Sequence, residues 1–158
     1  MNLLKASIFA LLLILCTTSN AQELSFYEMK TLLNKNISDI EDILSNKDFA
    51  LSSRDKTGEC ERYEYAMNKS KISNRAESFV NIFFCKTERT VTLVKNHSKH
   101  FAKIKEGAKK SGLKYITTDE SNSDILVHKF GNNNYRMEII TTKSDSGNML
   151  YIVSLTKQ

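Results

Sequence analysis

The sequence predicts an α+β fold: two tandem units, each a helix followed by a four-stranded antiparallel sheet, with the helices on one face of the sheet. Three observations carry this. The run from Phe79 to Cys85 is short, aromatic and β-branched, and a second such run, Arg89 to Lys95, follows after a gap too short for a crossover. The two together read as a central hairpin. Amphipathic helical spacing appears twice, near residues 25–44 and 97–110, each time ahead of alternating segments. The two joints also align: Asp48 against Gly112, Phe49 against Leu113, Leu51 against Tyr115. The units this predicts are residues 22–95 and 96–158, with their sheets fused or closely packed, because neither alone buries much core.

The N-terminus reads as a signal peptide over residues 1–21. Lys5 gives a positive n-region, Ala6 to Cys16 an apolar h-region, and Ser19 and Ala21 the small residues a signal peptidase requires before Gln22. The run is shorter than a membrane span, which needs roughly 20 residues. Acylation at Cys16, as in a lipoprotein, is disfavoured by Leu15, where a small residue is expected. The expectation is export to the periplasm or beyond, with no transmembrane segment after cleavage. Two cysteines then survive, Cys60 and Cys85, and in an oxidising compartment they are expected to pair. Alternation places both on the same side of their strands.

Without residues 1–21 the chain carries 22 Lys and Arg against 18 Asp and Glu. Residues 22–64 hold ten acids and six bases, so the basic excess lies in the remainder.

Helix one opens on a capping box, Ser25 with Glu28, and a staple of Leu24 with Met29. Phe26, Met29, Leu33, Ile37, Ile40 and Leu44 form its apolar face. Asn34 to Asn36 is a weak interior, and Ser38 with Glu41 repeats the capping pattern, so a helix-turn-helix and one continuous helix are both compatible with it. Phe49–Ser53 reads as a strand, Arg54–Gly58 as a turn, and Tyr63, Tyr65 and Met67 as one side of the next strand. Asn68–Asn74 reads as a loop. The second helix, His97 to Lys110, ends on Gly112 as its left-handed residue. Four strands follow, Leu113–Thr117, Ile125–Phe130, Tyr135–Thr142 and Met149–Leu155, with turns at Gly131–Asn134 and Ser144–Asn148.

Catalytic chemistry is not legible. No nucleophile motif is present, and Asp119, Glu120 and Asp124 around a predicted loop are ordinary surface carboxylates. His97 and His100 stand three apart on a predicted helix, a spacing that can hold a metal, but no third ligand accompanies them. They read as a solvent-exposed pair, and no metal or cofactor is expected. Asn36, Asn68 and Asn96 fit the glycosylation pattern, which chance supplies readily in an Asn-rich chain.

Two surfaces remain. Lys95, Lys99, Lys103, Lys105, Lys109, Lys110 and Lys114 make helix two basic, suited to an acidic protein, an anionic glycan or phospholipid headgroups, or serving only as a solvated face. Nucleic acid is not expected as a partner, since aromatic residues do not interleave with these lysines. The other surface is the sheet face away from the helices, where alternation puts Phe79, Phe83, Leu126, His128, Phe130, Ile140 and Ile152 beside the disulfide. That much apolar surface points to self-association or to another exported protein as partner. The expected function is a non-catalytic binding or inhibitory module. A carrier of an apolar ligand and, last, a small hydrolase are the alternatives. In order of elements the prediction is similar to the β-lactamase inhibitory protein, which binds through an uncovered sheet face; no residue motif carries that likeness.

Overall fold

The computed structural model describes residues 24–69, 76–95, 98–122, 124–144 and 147–158. The signal-peptide segment, His97, Asn96 and most of the Asn68–Asn74 loop lie outside them. The described elements are α1 (Phe26–Leu32), α2 (Ile37–Ser45), β1 (Phe49–Thr57), β2 (Cys60–Met67), β3 (Ser78–Phe84), β4 (Arg89–Lys95), α3 (Ser98–Lys110), β5 (Lys114–Asn122), β6 (Ile125–Gly131), β7 (Tyr135–Lys143) and β8 (Met149–Lys157).

The eight strands form one antiparallel sheet in the order β1-β2-β3-β4-β8-β7-β6-β5. This overturns the expected pair of helix-plus-four-strand units with a helix layer on one face. β4 and β8 would each be an exposed edge in such units, presenting unpaired backbone groups. Here they pair with each other along seven residues, from Arg89 opposite Lys157 to Lys95 opposite Tyr151. Among the described residues there are three short helices rather than one per unit: α1 packs on α3, α2 on β1, and α3 on β8.

Local chemistry fixes the helices. The Ser25 hydroxyl accepts from the Glu28 amide, and the Glu28 carboxylate accepts from the Ser25 amide at 2.7 Å, completing the capping box. The chain then breaks after Leu33, and α2 restarts at Asn36, whose side-chain oxygen accepts from the Asp39 amide at 2.9 Å. The cap is therefore Asn36 and not Ser38. At the end of α3, Leu113 N–H reaches Ala108 O and Gly112 N–H reaches Lys109 O, a Schellman motif with Gly112 at φ +82°. Asp48 takes the same left-handed conformation, φ +62°, on leaving α2. α1 and α3 approach closely at Gly107, where a Cβ would stand 3.0 Å from that of Phe26.

Two strands run further than the sequence suggested. β1 extends through Arg54–Thr57, and the turn is confined to Gly58 and Glu59; Arg54 pairs with Glu61 and Asp55 with Arg62 across the hairpin. β5 runs on past Thr117 through Asp119 and Glu120, which were expected to border a loop.

Alternate residues of the strands join the helices in a single buried cluster. One row across the sheet is Tyr65, Val80, Leu93, Val153, Ile139 and His128; the next is Tyr63, Ile82, Val91, Leu155, Met137 and Phe130. Apart from His128 these side chains are buried, together with Met29, Leu44, Phe101 and Ile104 from the helices. Each fully buried apolar side chain contributes about 1.5–3 kcal/mol relative to exposure.

Candidate binding face

Strand pleat sends the intervening residues to the other side of the sheet, where every strand but the two outermost is half-buried rather than closed over. Register lines Phe79, Val94, Ile152, Ile140 and Val127 into one apolar row across β3, β4, β8, β7 and β6. At the usual strand spacing this row spans about 19 Å. Beside it runs a polar row: Glu64, Asn81, Thr92, Ser154, Glu138 and Lys129. A third row holds Arg62, Phe83, Thr90, Thr156 and Arg136. At the β4–β8 junction the hydroxyls interlock, Thr92 with Ser154 at 3.0 Å and Thr90 with Thr156 at 2.9 Å. Arg62 is held by Asp55 at 2.7 Å.

Cys60 and Cys85 are disulfide-bonded across β2 and the end of β3, with Cα atoms 4.2 Å apart. Cys60 shares parity with Arg62, and Cys85 with Phe83, so the bond borders the third row.

Of the residues expected on this face, Phe79, Phe83, Ile140 and Ile152 stand there. Leu126, His128 and Phe130 do not. Phe130 is opposite Met137 and fully buried, at 0% exposure, and Leu126 and His128 share its parity on the core side. Strand β6 divides its apolar residues between both faces and has one polar side chain on each, Lys129 outside and His128 inside, so its own sequence does not settle which way it turns; its pairing to β7 does. His128 Nδ1 there meets the Thr118 hydroxyl at 2.8 Å, which in turn meets the Tyr115 hydroxyl at 2.7 Å. Alternation from Phe49 and Leu113 puts Leu51 and Tyr115 on the core side, opposite Tyr65 and Phe130, but both are about half exposed because each sits on an edge strand of the sheet. Val94 and Val127 complete the apolar row and were not anticipated. Alternation from Val91 and Leu93 was enough to find Val94.

The basic helix is α3. Lys99, Lys103, Lys109 and Lys110 are exposed on it, while Lys105 lies with its ammonium 5.5 Å from the Phe130 ring. Lys110 binds Glu106 at 2.7 Å, which lowers the Glu106 pKa and raises that of Lys110. His100 is 3% exposed and belongs to the buried side of α3, not to a solvent-facing pair. Among the described residues no group of three His, Cys, Asp or Glu side chains is placed to hold a metal ion.

Near the opposite end of the strands an open depression is lined by Leu33, Asn34, the turn after Cys85, Arg89 and Lys157. Two of its cations are already engaged. Arg89 donates to the carbonyls of Leu33 and Lys35, and Lys157 donates to the Asn34 side chain.

No family model, no curated protein and no solved structure matches the chain, so the likeness to the β-lactamase inhibitory protein gains no support from them. The disulfide is compatible with an exported protein, and no helix among the described residues is long and apolar enough to cross a membrane.

Proposed function

We propose that this chain is an exported, non-catalytic binding module that engages another exported protein through the half-buried face of its sheet. The observation that supports this is the apolar row Phe79–Val94–Ile152–Ile140–Val127, contiguous across five strands and turned away from the buried cluster. Soluble chains rarely leave apolar surface of this continuity without a use for it. A hydrogen-bonded sheet also binds at low entropic cost, because its backbone is already ordered.

The test places a photo-crosslinking residue at Phe83 or Ile152 in the native host and compares it with the same residue at Tyr27. Discrete protein adducts from the two sheet positions, lost when Ile140→Asp is added and absent from the Tyr27 control, are the expected result. Equal labelling at all three positions would remove the reading. So would a loss of about 3 kcal/mol or more in folding stability from Ile140→Ala, which would mark this face as core.

A further inference from the structure

Helix α3 presents a second surface, independent of the sheet face. Its inner side is fixed by the burial of His100, Phe101, Ile104 and Ala108 and by the close approach of Phe26 at Gly107. That anchoring leaves Lys99, Lys103, Lys109 and Lys110 exposed on one rigid rod. The only acidic side chain on α3, Glu106, is consumed by Lys110. On neighbouring α1, Glu28 is likewise bonded to Lys47, and Tyr27 stands 54% exposed.

We propose that this face docks the protein on an anionic phospholipid surface. Every cation on α1 and α3 is a lysine, and neither helix contains an arginine. Lysine is a hydrated point charge on a flexible stem. It suits the diffuse field of many headgroups, whereas capture of carboxylates on an acidic protein favours the guanidinium fork. Tyr27 brings the amphipathic ring that interfacial positions accept. The acidic residues Asp39, Glu41 and Asp42 lie on α2, which packs on the edge strand β1, so the cationic surface is local and orients the molecule. The contact is electrostatic and peripheral, without insertion.

The experiment is cosedimentation of the folded chain, without residues 1–21, with vesicles of phosphatidylcholine containing phosphatidylglycerol, and with phosphatidylcholine alone. Binding only to the anionic vesicles, suppressed by high salt, is expected. The variant K99A/K103A/K109A should weaken it about 100-fold, at about fivefold per lysine, with an unchanged melting temperature. Ile152→Asp should leave it intact, separating this surface from the sheet face. No vesicle binding, equal binding to neutral vesicles, or indifference to the triple substitution would overturn the proposal. Retention on heparin or on an acidic protein without vesicle binding would reassign the surface and overturn it too. Lysine-dependent self-association at low salt without vesicle binding would assign it instead to the acidic α2 of a second copy, with the same consequence.

Discussion

At the scale of single residues, Tyr65 is the most informative. Its ring is 1% exposed in the centre of the β2 row, and its hydroxyl has no hydrogen-bond partner among the described residues. Burial, with Glu41 and Tyr63 adding to it, pushes its pKa up to about 12. In the unfolded chain the phenol ionises near 10, so the folded state resists losing a proton that the unfolded state gives up. The resulting stability is complete below pH about 10 and falls as pH rises from there towards 12. Tyr65→Phe removes that alkaline loss. At neutral pH it should be neutral or stabilising by up to about 1 kcal/mol, because a buried unpartnered hydroxyl is removed while the ring stays. Denaturant titrations of both proteins at about pH 7 and about pH 11 check this; a destabilisation beyond about 1 kcal/mol at pH 7 would mean the hydroxyl has a partner. Residue-level features of this local kind were the most legible in the sequence. The Ser25–Glu28 capping box needs only four consecutive positions, and Gly112 declares its left-handed turn by identity. Asn36 was passed over as a cap because Ser38 and Glu41 imitate the same pattern two residues on.

At the scale of elements, the β2–β3 pair is fastened by Cys60–Cys85, twenty-five residues apart in sequence. Both sulfurs were placed on one side by two separate alternations, Tyr63-Tyr65-Met67 and Val80-Ile82-Phe84, and the pairing of Glu61 with Phe84 brings them together. In the chain-entropy view, closing a loop of this size stabilises the fold by about 3.5 kcal/mol, chiefly by restricting the unfolded chain. The double substitution Cys60→Ser/Cys85→Ser should therefore lower unfolding free energy by about that amount while leaving the strand content intact. Urea titrations with circular dichroism read both quantities, and a loss under about 1 kcal/mol would show the hairpin needs no fastening. Strand direction was harder to read than strand existence. The faces of β3 were assigned correctly, with Asn81 on the outer one, whereas those of β4 were not assigned although Thr90 and Thr92 alternate there with Val91 and Leu93. In β6 the apolar residues are shared between both faces, and the exchange of Phe130 for Val127 on the outer face followed from that. Leu51 and Tyr115 keep the parity that alternation gives them, opposite Tyr65 and Phe130, yet stand half exposed because β1 and β5 are the edges of the sheet.

At the scale of the whole molecule, the decisive contact is the one least visible in the sequence: β4 against β8, some sixty residues apart in the chain. Nothing local in Arg89–Lys95 announces that its free edge is completed by Met149–Lys157. The repeated joint at Asp48 and Gly112 is present in the structure as two left-handed residues, yet the strands that follow them reach opposite edges of one sheet. This predicts how the protein unfolds. Leu93 in β4 is 1% exposed and faces Val153 of β8, with Val80 on its other side. Leu93→Ala leaves a cavity at the seam and should cost about 2–5 kcal/mol, against under about 1 kcal/mol for Thr92→Ala on the half-buried face. If one core spans the sheet, that cost is felt on both sides of the seam. Native-state hydrogen exchange of Leu93→Ala should then show the amides of β3 and of β7 losing protection by the same free energy. Loss confined to β3 and β4, with β7 and β8 unchanged, would mean that the two halves of the sheet open separately.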